Sequence, residues 1–252
     1  MLRFLPGLFA ALAFASASQA GWVAGETKTL GTLPGGAIAW QTVVKNGFDS
    51  IKLTGVTFSE KDYSLGVIDN PKQSVRLSGA VPAAKAEAGI NASYFHPNGA
   101  PLGLVVSGGQ TVHGQERAKL LSGIIAVRNN RIEIRRSEKF PGTSGVTEAV
   151  QAGPWLVEKG AAVTGLNPEK RARRTAIAAH GGGKWSFISS TPITLAGIAE
   201  ILSTPGSSPQ PVKEALNLDG GSSTALWAAT NPAISIPEFG NVRNYLAITP
   251  RP

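Results

Sequence analysis

The chain has 252 residues, a formal net charge of +8 and no cysteine. The missing thiols exclude a cysteine nucleophile, a disulfide framework and any Cys-based zinc site. The positive surplus is scattered, apart from "KRARR" at 170–174 and Arg135-Arg136, so it lacks the dense basic stripe with interleaved aromatics that binds nucleic acid.

Residues 1–20, "MLRFLPGLFAALAFASASQA", place one cation, Arg3, ahead of a run of Leu, Phe and Ala, and close on small residues with Ser18 and Ala20 at −3 and −1. That order predicts a secretory signal peptide cut after Ala20, and its apolar stretch is short for a bilayer span. The remaining chain, 21–252, is then expected in the periplasm or outside the cell, as a single domain with no integral membrane segment. Losing Arg3 lowers the net charge from +8 to +7, a surplus suited to an anionic substrate or an envelope surface.

Glycine and proline, 30 and 17 residues, punctuate short apolar runs along this domain. Strands are expected over 51–58 and 63–69. A helix is expected over 81–89, opening near Pro82 and stopping at Gly89 as a C-terminal cap, with a strand at 102–106 after it. "GIIAVRNNRIEIRR" (123–136) alternates Ile132 and Ile134 with charges after Asn129-Asn130, a pair that tolerates positive φ, so a tight hairpin is expected. "EAVQAGPWLVEKGAAV" (148–163) reads as a strand, a corner at Pro154 and a second strand ending in a Lys-Gly turn. Another hairpin is expected over 174–190, turning on the glycines after His180. Leu195, Ile198 and Leu202 recur at helical spacing behind Thr194 as cap, and "STPGSSPQP" (203–211) reads as a surface loop. The run "EALNL" and residues 242–248 complete the expected strands. Many short strands, few helices and no internal repeat predict an α+β fold: one domain with a largely antiparallel or mixed, twisted sheet flanked by a few helices.

The chemistry gathers at strand ends. "EALNL" ends in Asp219-Gly220-Gly221, aiming one carboxylate from a sheet edge while the glycines let backbone amides approach a ligand. Ser222, Ser223 and Thr224 add hydroxyls suited to phosphate or sugar oxygens. Alone, such a stretch reads more simply as a turn whose acid accepts backbone amides. It does not stand alone. Asn91 ends another buried run, and Tyr94, Phe95 and His96 follow it. An amide, aromatic faces and an imidazole suit sugar recognition, although aromatics that merely pack a hairpin would look the same. Gln151 and Gly153 mark the Gly-Pro corner. Arg174-Thr175 enters a strand from the basic run, and arginine presents a planar fork matched to phosphate oxygens, whereas Arg171 and Arg173 read as a solvated face.

Five segments, "NASYFHPNGAPLGLVVSGGQ", "VQAGPWLVEKG", "RRTAIAAH", "ALNLDGGSS" and "VRNYLAI", occur in this order and resemble the phosphodiester glycosidase domain family over roughly residues 60–248. The resemblance implies a mixed α/β domain and cleavage of a sugar 1-phosphodiester, of the N-acetylglucosamine-1-phosphodiester kind, at the anomeric carbon. It implies Asp219 and Arg174 as catalytic residues. Around the ligand it implies Asn91, Thr175, Gly220, Gly221, Ser223 and Arg243, with Gln151 and Gly153 matching its Gly-Pro corner; His96 is expected among the substrate contacts for its imidazole beside the aromatics. Ser222 stands where many members carry a third glycine, and His96 where some carry an acid.

Ordinary glycoside cleavage uses two carboxylates, yet of Asp49, Asp62, Asp69 and Asp219 only the last lies in a motif. Glu116 and Glu148 are the nearest candidates for a second acid. A phosphate leaving group is already acidic, so it needs charge stabilisation more than a proton, and Arg174, Arg243 and backbone amides would provide it. No cofactor and no metal are expected, because histidines 96, 113 and 180 are scattered without ligand spacing. There is no G-x-S-x-G elbow for a serine nucleophile, and nothing in the spacing supports Ser222 or Ser223 in that role. The expected partner is a carbohydrate or sugar phosphate. The competing expectation is a non-catalytic carbohydrate-binding protein of the cell envelope, which would need the same Arg, Asn and Asp.

Overall fold

A computed structural model describes residues 21–252; the expected signal segment and its cleavage site fall outside the described residues. Three antiparallel sheets hold nearly all the regular structure. The largest has nine strands, ordered from the edge Val23–Ala24 through Ile38–Asn46, Asp49–Ser59, Lys184–Ile193, Ala172–Gly181, Glu214–Asn217 and Trp155–Glu158 to Ala161–Ala162, with Lys28–Thr32 also paired to Ile38–Asn46. A second sheet of five runs Arg131–Arg136, Gly123–Arg128, Val146–Ala152, Val105–Ser107, Gln110–His113. A third runs Ile234–Ile236, Leu226–Ala228, Ala88–Asn91, Asn244–Pro250, Tyr63–Asp69.

The inner faces of all three sheets close on one core that includes Phe58, Phe187, Leu216, Ile125, Val150, Ile90 and Leu246. Each large apolar side chain buried there contributes about 1.5–3 kcal/mol relative to exposure. A second cluster lies between the other face of the large sheet and helix α2 (Leu195–Ser203), and a third under helix α1 (Leu77–Ala83). Strands make up 47% of the structure and these are its two α-helices among the described residues. The α+β expectation therefore holds only coarsely: the molecule is mostly β, with helices appended to sheet faces.

Several local expectations are met. Asn129 and Asn130 both take positive φ, +50° and +61°, at the tip of the 123–136 hairpin. Thr194 accepts the Gly197 amide at 3.0 Å and caps α2. The helix expected over 81–89 is displaced, and 88–91 is a strand. Leu77, Ala80 and Val81 form the buried i, i+3, i+4 face, so the periodicity begins before Pro82, which falls near the helix end. Gly89 is no cap. A Cβ there would meet Val81 Cγ2 at 2.6 Å and Leu246 O at 3.0 Å, so glycine lets α1 lie directly on the strand.

Candidate active site

Three strand ends and one corner meet where the sheets join. Asn91 ends the central strand of the third sheet, Thr175 lies in Ala172–Gly181, and Asp219 follows Glu214–Asn217. Gly153-Pro154 carries the chain from the second sheet into the large one. Asn91 ties these together and is fully buried. Its Oδ1 accepts the Thr175 hydroxyl at 2.7 Å and the Ala225 amide at 2.9 Å, while its Nδ2 donates to the Asp219 carbonyl at 2.7 Å. Two backbone bonds support the clamp, from Asp219 N to Ala92 O at 3.0 Å and from Leu218 N to Thr175 O at 2.8 Å. Asn91 and Thr175 thus hold the Asp219 backbone from behind.

The Asp219 carboxylate is partly exposed, and its Oδ1 accepts the Gly220 amide at 2.8 Å. Burial pushes its pKa above the ordinary aspartate value, and hydrogen bonds from Ser223 and Gly220 offset part of that rise. Gly221 has φ +65°, and a Cβ there would meet nothing within 4 Å; glycine serves the turn geometry and leaves the space beside the acid open. At Gly220 a Cβ would sit 2.9 Å from Arg173 O, so that glycine permits close strand approach. The Gly221 and Ser222 amides make no hydrogen bond to a described residue, and remain as donors for an anion. Ser223 is buried and its amide bonds Gly220 O, while Ser222 is exposed.

Tyr94 is the nearest electrostatic partner. Burial raises its phenol pKa, the Asp219 charge raises it further, and Asn217 and Arg174 act the other way. The neutral phenol donates to Gly153 O at 2.6 Å and accepts from Asn217 Nδ2 at 2.8 Å. Tyr94 was legible only as an aromatic face, and Asn217 was not singled out at all. The available signal was one polar residue inside the apolar run "ALNL".

The other expected residues are placed as follows. Arg174 is partly buried and borders Gly220, with Nε donating to Ile193 O at 3.0 Å and Nη2 to Lys170 O at 2.6 Å. Those two bonds leave both N–H groups of Nη1 and one of Nη2 for a ligand, so part of the fork expected from sequence stays available. Arg243 is ion-paired with Asp69, its side chain only 7% exposed. The expected solvated character fits Arg171, which meets exposed Asp49 at 3.1 Å, but not Arg173, which lies 4.5 Å from the Phe239 ring.

Gln151 has a different task from the expected ligand contact. It is fully buried; Oε1 accepts the Leu104 and Glu116 amides at 3.0 Å each, and Nε2 donates to Glu116 O at 2.8 Å. It braces the 115–122 loop. A Cβ on Gly153 would run into Leu120 O, so that corner also belongs to the loop's support. His96 sits exposed in the turn closed by its amide to Ala100 O at 2.8 Å. Of the two glutamates considered as a second acid, Glu148 is taken up by the Val67 and Gly108 amides at 2.8 and 3.0 Å, and burial raises its pKa. Glu116 lines a cleft of about 750 Å³ with Arg117, Lys119 and Phe140. Asp219 is not among the residues of that cleft, and the buried clamp argues more strongly for the Asp219 turn than size argues for the cleft.

A family model described as phosphodiester glycosidase (NAGPA) matches residues 84–249, a span that includes Asn91, Tyr94, Thr175 and Asp219. No curated protein matches the chain significantly. Among solved structures, a protein of Synechocystis superposes with a TM-score of 0.61 at 19% identity, over 85% of this chain and 62% of its own. This chain therefore spans less than two thirds of that protein. The catalytic domain of zebrafish N-acetylglucosamine-1-phosphodiester alpha-N-acetylglucosaminidase, auto-inhibited by its pro-peptide, superposes with a TM-score of 0.60 at 17% identity, over 94% of this chain and 85% of its own. At these identities the likeness is one of fold.

Proposed function

The chain belongs to the phosphodiester glycosidase family, and from that premise we propose that it is an exported hydrolase cleaving a sugar 1-phosphodiester at the anomeric carbon. The observation that carries the reading is Asp219: a partly exposed carboxylate of raised proton affinity, held from behind by Asn91 and followed by two unpaired amides. Export rests on the charged, apolar and small-residue order of residues 1–20.

In the reaction, water adds its oxygen to the anomeric carbon while the bond from that carbon to the bridging oxygen breaks. The electron pair leaves with the phosphomonoester, and the proton of water passes to Asp219 or to solvent. Ionised Asp219 stabilises positive charge at the oxocarbenium-like centre or activates the water. The leaving group is a stable anion, so one carboxylate suffices where an ordinary glycoside would need a second, protonated acid. The Gly221 and Ser222 amides, with Nη1 of Arg174, meet the phosphate oxygens. Tyr94 and Asn217 keep the floor beneath Asp219 in place.

A panel of sugar 1-phosphodiesters, N-acetylglucosamine-1-phospho-methyl among them, tests this with the purified chain. Release of free reducing sugar together with a phosphomonoester is expected. Saturable binding of the same compounds without release would favour a carbohydrate-binding protein instead.

A further inference from the structure

A second concavity of about 260 Å³ lies between the large sheet and the segment after Ile234–Ile236, lined by Lys52, Arg173, Ser189, Thr191, Pro237 and Phe239 among others. Its chemistry is lopsided. Two cations and several hydroxyls face an apolar wall, and none of its lining residues carries a carboxylate. The adjacent acid, Glu238, is buried, and its Oε1 accepts the Leu77 amide at 2.8 Å and the Tyr245 hydroxyl at 2.9 Å. It therefore does not neutralise the cleft by direct pairing. Phe239 is 73% exposed and its ring forms part of the cleft lining. Its exposure is also maintained by its neighbours: the Phe239 and Gly240 amides both bond Ser222 O, at 2.7 and 3.1 Å, and Arg76 Nη1 donates to Gly240 O at 2.9 Å. Arg173 stands 4.5 Å from the ring centre. Its Nη2 donates to Thr224 O and, at 2.9 Å, to Pro237 O, while its Nε and Nη1 have no partner among the described residues.

We propose that this cleft binds a single pyranose ring carrying a negative charge, either a uronate or a sugar phosphate. The sugar's C–H groups lie against the exposed part of Phe239 that Arg173 does not cover, as apolar sugar faces do on aromatic ones, and its anionic group meets Lys52 and the free edge of Arg173. The volume is below the ~300 Å³ at which clefts for whole drug-sized ligands begin, which suits one ring. The segment that presents Phe239 rests on Ser222, and Arg173 O borders Gly220, so the cleft adjoins the Asp219 turn. In the proposed reaction, on which this placement rests, it would hold a saccharide unit beyond the cleaved bond.

The test is an NMR titration of the purified chain with three separate probes: methyl α-D-glucuronide, glucose 1-phosphate and methyl α-D-glucoside. Saturable shifts at Arg173 and Phe239 are expected with one or both anionic probes, with affinity at least about tenfold above that of the neutral glucoside. Glucuronide binding points to an acidic polysaccharide and binding of the phosphate alone to a sugar-phosphate chain; either supports the proposal. Phe239→Ala, at an exposed ring whose loss leaves the fold intact by melting temperature, should abolish the shifts, and Lys52→Gln should weaken them. Equal affinity for the neutral glucoside, no saturable shift with any probe, or unchanged binding by Phe239→Ala overturns it. The readout is binding at Phe239, so failure to turn over phosphodiesters leaves the proposal standing, and failure here leaves the Asp219 reaction standing.

Discussion

At Asp219 two opposing influences can be weighed directly. Burial raises the carboxyl pKa, and the hydrogen bonds from Ser223 and Gly220 recover only part of the rise. A folded-state pKa above the unfolded one means that folding favours the protonated acid. The associated stability is fully present below the ordinary value of 3.8 and is lost as pH rises through the folded value. Near neutrality the ionised carboxylate is therefore a cost to the fold. Asp219→Asn keeps an acceptor for the Gly220 amide and removes that cost, so its melting temperature at pH 7 should equal or slightly exceed that of the parent. Turnover should fall by at least ~100-fold, the scale of one acid–base or electrostatic group. The acid limb of kcat/KM should lie above the pH expected for an ordinary aspartate and vanish in the variant. A drop in melting temperature with turnover per folded molecule intact would reduce the Asp-Gly-Gly stretch to a structural turn. The acid itself was legible from sequence because it ends an apolar run and two glycines follow it. Tyr94 and Asn217 were not, because the hydrogen bond that joins them spans 123 residues of chain.

Among the elements, the 115–122 loop shows how one side chain can stand in for a strand. Gln151 satisfies the amides of Leu104 and Glu116 and the carbonyls of Glu116 and Leu121 at once. Gln151→Ala would leave several buried groups unpaired, at about 2 kcal/mol or more in total. Hydrogen exchange should accelerate at the amides of residues 104 and 116, while substrate affinity stays close to that of the parent once the folded fraction is allowed for. A selective loss of affinity with unchanged exchange would restore Gln151 as a ligand contact. From sequence alone a glutamine beside a Gly-Pro corner looks the same in either role. Hairpins and caps were easier. Asn129-Asn130 and Thr194 act through their own neighbours, so their structures follow from local chemistry. The α1 region was misread because its proline and glycine resemble helix punctuation, whereas Gly89 is small to fit Val81 and Leu77 above it.

For the molecule as a whole, dividing the strands among three sheets around one core depends on long-range pairing that no local pattern reveals. The strands Lys28–Thr32 and Ile38–Asn46 and the closing pair Leu226–Ala228 and Ile234–Ile236 were not expected. Most of the other strands were nevertheless visible, since alternation and flanking turn residues mark them locally. The joining of the sheets is what sets Asn91, Thr175 and Asp219 together, and the Asp69 pairing of Arg243 ties two neighbouring strands within the third sheet. In the proposed reaction this junction supports attack at the anomeric carbon and not at phosphorus. Hydrolysis of a sugar 1-phosphodiester in ¹⁸O-labelled water, with mass spectrometry of both products, tests it most directly. The label is expected in the released sugar, with product formation falling at least ~100-fold for Asp219→Asn. Label in the phosphate, or equal product formation by that variant, would contradict it.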